Sequence, residues 1–428
     1  MNKFFKTLGI GLCSLVLMAG CGSSGDKEAK KDEKVELSFV TFVGTGEEYM
    51  MDLNSISDAY NKINPNVTIK MEKVPATEYD NTMKIRNSAR KLPDLFPVRV
   101  VTLENYKNIL TPLNDLEAAK VNKFAKDYAV DGNIYGLPMY GFNEFVYYRK
   151  SVFKELGLEI PTTWNEFKEL TAKIEASGKY TPVALGAKES WAVYPFNEFF
   201  PFLVPGGDNI WSKMAQDPAP FSKGKPFYNA YGMINDYYSM KPFGQDPLGY
   251  GWEQEKNMFI SKKSAMIVIG QWFYTDLKKD ISPNQLDDVG VFVLPVRETK
   301  EDKFRYLVTA EVFLAIPEYS KHKEEAKAFL NWLFTSDYYK EYIKYMNVLP
   351  TVEGVELKGS LFGDAINAIP NPEPVLQKGG DAKFREIANF ISFDVKKMGQ
   401  EMLQGVDFEK YMEEYNKKWK EAQESINK

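Results

Sequence analysis

Short apolar runs alternate with helical patterns in the first hundred residues. Residues 35–43 (VELSFVTFV) are β-branched and aromatic, which predicts a buried strand. Apolar residues then recur every three or four positions over 53–63, as on a helix with one buried face. Further patterns predict a strand at 67–74, a helix at about 78–89 and a third strand within 93–101 (PDLFPVRVV). This order indicates an α/β fold with a parallel sheet covered on both faces.

Helix signals continue through the rest of the chain. Thr163, followed three residues later by Glu166, forms a capping box that predicts a helix reaching about residue 177. Residues 324–334 have the amphipathic pattern of a helix, and Asp407 precedes a last helix with an apolar stripe from 408 to 419. No internal repeat is visible, so we expect large α/β units rather than a repeat protein.

The N-terminus has the pattern of a targeting segment. Lys3 and Lys6 precede an apolar run over 8–19 that is shorter than the roughly 20 residues needed to span a bilayer. The sequence LMAGC ending at Cys21 resembles the lipobox of bacterial lipoproteins, with Met18 where that family usually has Leu. We therefore expect a signal peptide at 1–20, lipidation of Cys21 and a flexible tether at 21–34. The alternative is an ordinary secretory signal that leaves Cys21 as a free thiol.

Composition excludes several classes of function. The chain has 428 residues, which favours two domains over one core, and its net charge of −5 argues against nucleic acid as a partner. Its only cysteines are Cys13 and Cys21, so we expect no disulfide in the mature protein. Its only histidine, His322, lies in a charged run that is typical of a solvated helix start. We therefore expect no metal site and no cofactor.

Six segments, in order, resemble the extracellular solute-binding proteins of ABC importers, in the carbohydrate-binding cluster of that family. The segments are ELSFVTFVGTGEEY with the helix and strand that follow, PDLFPV, DGNIYGLPMYGFNEFVYYRKSVFKELGLEIPTTWNEF, KSAMIVIGQWFYTDL, VGVFVLPV and KHKEEAKAFLNWLF. The resemblance implies a two-lobe fold like type II periplasmic binding proteins. Each lobe would hold a mostly parallel sheet flanked by helices, and a three-segment hinge would join them.

The resemblance also implies where the chain passes between the lobes. The crossings would lie near 140–144, 308–313 and 348–352. The N-terminal lobe would then comprise 35–140 plus 312–348, and the C-terminal lobe 145–307 plus 353–428. A ligand would bind in the cleft, at the carboxyl ends of the strands, and closure would be a hinge motion.

A sugar presents a face of C–H groups that stacks on aromatic rings and a rim of hydroxyls that hydrogen-bond. Trp272, in GQWFY, matches the stacking tryptophan of the family, and Trp191 and Tyr194 lie in its other aromatic loop. Trp252 and Trp211 are further candidates, and packing in the core is the alternative for all five. For the remaining tryptophans we expect core positions: Trp164, Trp332 and Trp419.

Polar candidates follow predicted strands or lie at the crossings: Thr45, Glu47, Arg99, Tyr140, Asn143 and Glu311. The turn that contains Thr45 lacks the Gly-Lys-Ser/Thr of a phosphate loop, so a tight turn is the better interpretation. The carboxylate of Glu47 could instead offset a helix dipole. Glu311 lies within an apolar strand, where an unpaired charge is costly, so we expect a role in the cleft or an ion pair across the hinge.

The resemblance implies a monomeric, lipid-anchored protein at the extracellular face of the membrane. It would capture a mono- or oligosaccharide and deliver it to an ABC permease without chemistry. One alternative is a binding protein for a peptide or an anion, although loops rich in aromatic residues favour sugars. Another is a surface-anchored glycoside hydrolase, which needs two carboxyl groups roughly 5–10 Å apart.

Overall fold

The computed structural model describes residues 34–43, 53–100, 102–357 and 359–426. The predicted signal peptide, Cys21, nearly all of the tether, Thr45 and Glu47 lie outside the described residues. In the part of the chain that is described, no helix is both long enough and apolar enough to cross a membrane.

The chain folds into alternating strands and helices. The strands are β1 (Val35–Val43), β2 (Val67–Pro75), β3 (Phe96–Val98), β4 (Leu137–Phe142), β5 (Glu144–Arg149), β6 (Thr181–Ala184), β7 (Ser264–Gly270), β8 (Val289–Phe292), β9 (Phe304–Ala315) and β10 (Pro372–Leu376). The α-helices are α1 (Leu53–Ile63), α2 (Ala76–Ser88), α3 (Leu103–Tyr106), α4 (Glu117–Val121), α5 (Lys150–Leu156), α6 (Trp164–Ala176), α7 (Phe200–Leu203), α8 (Ile210–Gln216), α9 (Pro226–Ser239), α10 (Trp252–Ile260), α11 (Phe273–Asp280), α12 (Pro283–Asp287), α13 (Lys323–Thr335), α14 (Asp337–Met346), α15 (Leu361–Asn367), α16 (Ala382–Phe390), α17 (Val395–Gln404) and α18 (Phe408–Ile426). Single turns of other helix types occur at Lys107–Ile109, Ser190–Val193 and Pro195–Phe199.

Buried hydrophobic side chains form two separate cores. The first core draws its residues from 37–140 and from 310–352. The second core draws its residues from 145–307 and from 362–422. Phe142 packs against both. Because apolar contacts concentrate within each core, the chain consists of two lobes.

Two sheets lie in the first lobe and the strands that cross from it: β1 pairs with β2, and β3, β4, β9 and β10 form a second sheet. Strand β1 pairs with β2 in parallel over its whole length, and an isolated parallel bridge joins Phe39 to Leu95 just before β3. Strand β9 runs antiparallel to both β3 and β4, and its first half pairs in parallel with β10. The predicted third strand is therefore shorter than its apolar run, since only Phe96–Val98 is extended in the sheet.

The sheet of the second lobe has the order β6-β7-β5-β8, and its pairing differs from the expectation of mostly parallel strands. Strands β6 and β7 are parallel, but β5 is antiparallel to both β7 and β8. A parallel strand has to be reached by a crossover connection. Strand β5 instead follows β4 of the other sheet directly through Asn143, and it runs opposite to both of its neighbours, β7 and β8.

Three chain segments lie side by side between the cores. Strand β4 pairs with β9, with Tyr140 opposite Glu311. Gly141 and Leu349 exchange backbone hydrogen bonds of 2.7 and 2.8 Å. Within β9, Val312 has a φ of 55°, a left-handed conformation that β-branched residues rarely adopt. The backbone is therefore strained at the residue that follows Glu311.

Two predicted helix starts are confirmed. The Thr163 hydroxyl accepts a hydrogen bond from the Glu166 N–H at 3.2 Å. The Glu166 carboxylate in turn accepts from the N–H of Thr162 at 2.7 Å, one residue before the predicted partner. Asp407 accepts from the N–H of Lys410 at 3.3 Å at the start of α18. Short polar side chains thus satisfy backbone donors at both helix starts.

Candidate ligand site

A cavity of about 160 Å³ lies between the two cores. Its lining residues are Phe42, Arg99, Tyr140, Phe142, Trp272, Thr275, Asp276, Glu311, Met346 and Val348. Both lobes contribute, with Trp272 on the side of the second core and Tyr140 on the side of the first. Pockets for small molecules usually measure roughly 300–1,000 Å³. A ligand longer than about one ring therefore requires the lobes to move apart.

Trp272 reaches the cavity from the turn between β7 and α11. Gly270 ends β7, and a Cβ atom added there would lie 2.4 Å from the indole nitrogen of Trp272. No larger residue can occupy this position unless the indole moves. The side chain of Trp272 is half-buried, so one part of the ring packs against the second core and another part faces the cavity.

Three half-buried tryptophans touch one another beside the cavity: Trp191, Trp252 and Trp272, here called the tryptophan cluster. The ring centroid of Trp252 lies 5.4 Å from that of Trp191 and 5.4 Å from that of Trp272. Trp191 and Trp272 are 6.4 Å apart. Tyr194 is only 9% exposed and stacks on Trp191 at 6.4 Å. The cluster is an aromatic surface that continues from the cavity into the second lobe.

Glu311 and Arg99 contribute the charges of the first lobe. Burial raises the pKa of Glu311 to about 6, and Arg99 and the backbone N–H of Val312 limit the increase. Arg99 Nε lies 3.4 Å from an oxygen of Asp80, and its guanidinium lies 4.8 Å from the ring centroid of Phe42. Among the described residues Glu311 forms no ion pair, so the expected pair across the hinge is not found.

Asp276 contributes a carboxyl group from the second lobe. Burial raises the pKa of Asp276 to about 6, while the ammonium group of Lys256 counteracts the increase. Asp276 was not predicted as a site residue. The sequence could have predicted it, because Asp276 follows Trp272 by four residues and residues at this spacing share one face of a helix. The cavity thus has an acid on each side and one arginine.

The first crossing holds buried polar atoms without partners. Asn143 is 1% exposed; its side-chain oxygen accepts from the Glu144 N–H at 2.8 Å, while its Nδ2 has no partner. Glu144 is 7% exposed, and both of its carboxyl oxygens lack a well-aligned partner. Gln271 donates to the carbonyl oxygen of Asn347, across the two lobes, but its Oε1 is unpaired. Such orphaned atoms are typical of functional sites, where a ligand or water completes them.

Glu144 was also missed by sequence reasoning. Successive side chains of a strand point to opposite faces, so residues 140, 142 and 144 share one face if the extended chain continues through Asn143. Tyr140 and Phe142 line the cavity. The alternation of side chains along the strand was therefore a sequence signal that Glu144, rather than Asn143, shares the face of Tyr140 and Phe142.

Trp211 requires a correction. It is 6% exposed and lies in the second core, where it stacks on Phe384 at 5.4 Å and meets Phe202 edge-on at 5.6 Å. It does not line the cavity between the lobes. The reason is local, because α8 buries Ile210, Trp211 and Met214, an apolar face at helical spacing.

The other predicted residues fall into three groups. The structure brings Trp272, Tyr140, Arg99 and Glu311 to the cavity, and it places Trp191, Trp252 and Tyr194 next to it. Asn143 lies buried in the crossing. Of the remaining tryptophans, Trp164 and Trp419 lie in the core as expected, and Trp332 is half-buried against it. Within the described residues no group of three His, Cys, Asp or Glu side chains is arranged to hold a metal ion.

Comparison with known proteins identifies the family. The model of the bacterial extracellular solute-binding protein family matches residues 48–340, and this chain belongs to that family. The multiple sugar-binding protein of Streptococcus mutans is 25% identical over 82% of this chain and 84% of its own. The arabinooligosaccharide-binding protein of Bacillus subtilis is 26% identical over 74% of this chain and 75% of its own.

Solved structures show the same fold. A manno-oligosaccharide specific solute-binding protein of Bifidobacterium animalis subsp. lactis, in complex with mannotriose, superposes with a TM-score of 0.73. The match covers 93% of this chain and 96% of that one at 21% identity. The chain therefore has the two-lobe fold of type II periplasmic binding proteins.

Proposed function

We propose that this protein captures a mono- or oligosaccharide in the cavity between its lobes and delivers it to the permease of an ABC importer. The observation that carries the proposal is the composition of that cavity. Trp272 offers an aromatic face on one wall, while Arg99, Glu311 and Asp276 offer charged groups around it. A sugar needs this combination, because its C–H face stacks on a ring and its hydroxyls bond to charged and amide groups.

The relatives support a saccharide over other solutes. Their names state multiple sugars, arabino-oligosaccharides and manno-oligosaccharides as ligands of those proteins. The tryptophan cluster extends the aromatic surface beyond the cavity. We infer from this extension that the ligand is an oligosaccharide with one unit on Trp272 and further units along Trp252 and Trp191.

Capture would proceed by hinge closure. We propose lobes of 35–140 plus 312–348 and 145–307 plus 353–428, joined by the three segments that run side by side between the cores. Bending those segments changes the distance between the lobes without disturbing either core. The cavity of about 160 Å³ corresponds to a narrow state of this cleft, and opening would admit the ligand.

Delivery requires that the protein stay at the cell surface. We propose that Cys21 is lipidated, that 21–34 is the tether and that the mature protein is a monomer at the extracellular face of the membrane. The protein would bind its ligand reversibly, perform no chemistry and use no cofactor. The named relatives are binding proteins, which supports this part of the proposal.

One observation favours a second candidate. Glu311 and Asp276 both line the cavity, and burial raises the pKa of each to about 6. A glycoside hydrolase also uses two carboxyl groups in one cleft. Incubation with an oligosaccharide separates the two functions, because a binding protein returns the ligand intact and a hydrolase releases shorter sugars.

The direct test is a titration of the mature domain with raffinose, mannotriose and arabinotriose. Tryptophan fluorescence and calorimetry are followed together, with inorganic phosphate and a tripeptide as controls. We expect at least one saccharide to bind with a saturable change in fluorescence and to be recovered unchanged. Binding of only the tripeptide or phosphate would contradict the proposal, and so would release of shorter sugars.

A further inference from the structure

Tyr194 lies between the crossing and the tryptophan cluster. Its hydroxyl accepts the backbone N–H of Gly270 at 2.9 Å. Burial raises the pKa of this hydroxyl, and the indole N–H of Trp272 lowers it in part. A Cβ atom at Gly270 would lie 2.4 Å from the indole nitrogen and 3.0 Å from the hydroxyl oxygen. The phenol of Tyr194 and the indole of Trp272 thus meet in a space that a glycine leaves open.

Glu144 lies on the other side of the same hydroxyl. In the pairing of β5 with β7, Glu144 is opposite Gly270, so its side chain stands at the level of the Tyr194 hydroxyl. Burial raises the pKa of Glu144 well above its ordinary value, and the neighbouring Tyr194 hydroxyl only partly offsets the increase. Among the described residues Glu144 forms no ion pair, and a protonated carboxyl group, which can both accept from and donate to a neighbour, suits such a position.

We propose that Tyr194 and Glu144 are positioning residues that fix the orientation of the Trp272 indole toward the cavity. This inference rests on the proposed function, in which that indole stacks on the ligand. Glu144 orients the Tyr194 hydroxyl, and the hydroxyl holds the indole N–H. Tyr194 is 9% exposed and absent from the cavity lining, which agrees with an action through Trp272 rather than a contact of its own.

The surroundings of Glu144 contain few other titratable groups. Tyr147 lies on the same strand, and Glu198 follows from the turn at Pro195–Phe199. Glu198 is paired with Lys396 at 2.9 Å, so its charge is balanced. Burial also raises the pKa values of Glu311 and Asp276 in the cavity, and both residues are present in wild type and in a Glu144 variant. A difference between the pH profiles of those two proteins therefore reports on Glu144.

The first test needs no ligand. Indoles about 5–6 Å apart couple electronically, so the near-ultraviolet circular dichroism of the tryptophan cluster depends on the mutual angles of the rings. We expect Tyr194→Phe to change this signal. Tyr231→Phe is the matched control, because Tyr231 is also buried in the same lobe and donates to the Asn197 carbonyl at 2.9 Å. Superimposable spectra of wild type and Tyr194→Phe, with the same melting temperature, would overturn the proposal.

The second test uses whichever saccharide of the panel binds. Tyr194→Phe should weaken binding about three- to tenfold, the range expected for one hydrogen bond. In a Trp272→Phe background, which lacks the indole N–H, the same substitution should have no further effect. Equal losses in both backgrounds would show that Tyr194 contacts the ligand directly and would overturn the positioning role.

Glu144→Gln tests the residue that orients the Tyr194 hydroxyl. The amide keeps the shape and the hydrogen-bonding capacity of a protonated carboxyl, so we expect affinity close to wild type at pH 5. As the pH rises, ionisation of Glu144 places an uncompensated charge in this buried position, so wild-type affinity should fall relative to that of the variant. Identical profiles would refute the role of Glu144. If no saccharide binds, the proposed function fails, while the dichroism experiment still decides on the positioning of Trp272.

Discussion

Replacement of Glu255 by glutamine tests how the tryptophan cluster is supported. Glu255 is fully buried in α10, the helix that begins with Trp252. One of its oxygens accepts the N–H of Gly186 at 2.9 Å, and the other has no partner. Gly186 lies just before the turn that carries Trp191. Glu255 therefore ties together the two segments that present Trp191 and Trp252.

The size of the expected stability difference follows from the free-energy cost of ionising Glu255 in the folded protein. Burial raises the pKa of Glu255 from 4.5 to about 8, the Gly186 N–H lowers it and Glu189 raises it further. Because the folded pKa is the higher one, its contribution to stability is complete below pH 4.5 and is lost as the pH rises through 8. At about 1.4 kcal/mol per pKa unit, a shift from 4.5 to about 8 makes the loss on the order of 5 kcal/mol.

The assay is urea unfolding of wild type, Glu255→Gln and the exposed control Glu413→Gln at pH 5, 7 and 9. At pH 5 the three proteins should be similar in free energy of unfolding. At pH 9 the free energy of unfolding of Glu255→Gln should exceed that of wild type by roughly 4–5 kcal/mol, because the amide cannot ionise. The control should follow wild type throughout. Parallel curves for wild type and Glu255→Gln would refute the reasoning that this carboxyl group is buried without compensation.

Three further predictions concern the site and the anchor. Trp272→Ala should weaken saccharide binding by about 1–3 kcal/mol in a calorimetric titration, by analogy with stacking of bases on aromatic rings, and unchanged affinity in the folded variant would remove Trp272 from the site. Gly270→Ala should cause a comparable loss because a Cβ displaces the indole; Gly232→Ala, whose Cβ would meet only Phe408 at 3.8 Å, should bind normally. Cys21→Ser should shift the protein from the cell fraction to the medium on an immunoblot, and retention on cells would contradict lipidation.

Local patterns predicted several elements well. Strand β1 spans the predicted residues, and α6 starts at the predicted Thr163 cap. These elements are encoded by neighbours in the sequence, through apolar periodicity and one side-chain cap. The direction of β5 was not encoded locally, because it is defined by pairing with β7 and β8, which are distant in sequence.

The site was predicted only in part, for a similar reason. The family motif predicted Trp272 as a ligand contact, and in the structure its side chain lines the cavity between the lobes. The same reasoning could not separate Trp211 from Trp191, because both lie in aromatic segments and only tertiary packing buries Trp211. Glu144 was not predicted as a site residue, since its buried state results from contacts with Tyr194 and Gly270, which are distant in sequence.

The central claim is that two lobes close around a saccharide, and a distance measurement tests it most directly. The chain has no cysteine after Cys21, so a soluble form that begins after the anchor can carry two introduced spin labels without background. Lys120 in the first lobe and Lys179 in the second are both exposed and suitable for replacement by cysteine. The account predicts that a saccharide that binds shifts the distance distribution toward one narrow population. Saturable binding with an unchanged distribution would contradict closure.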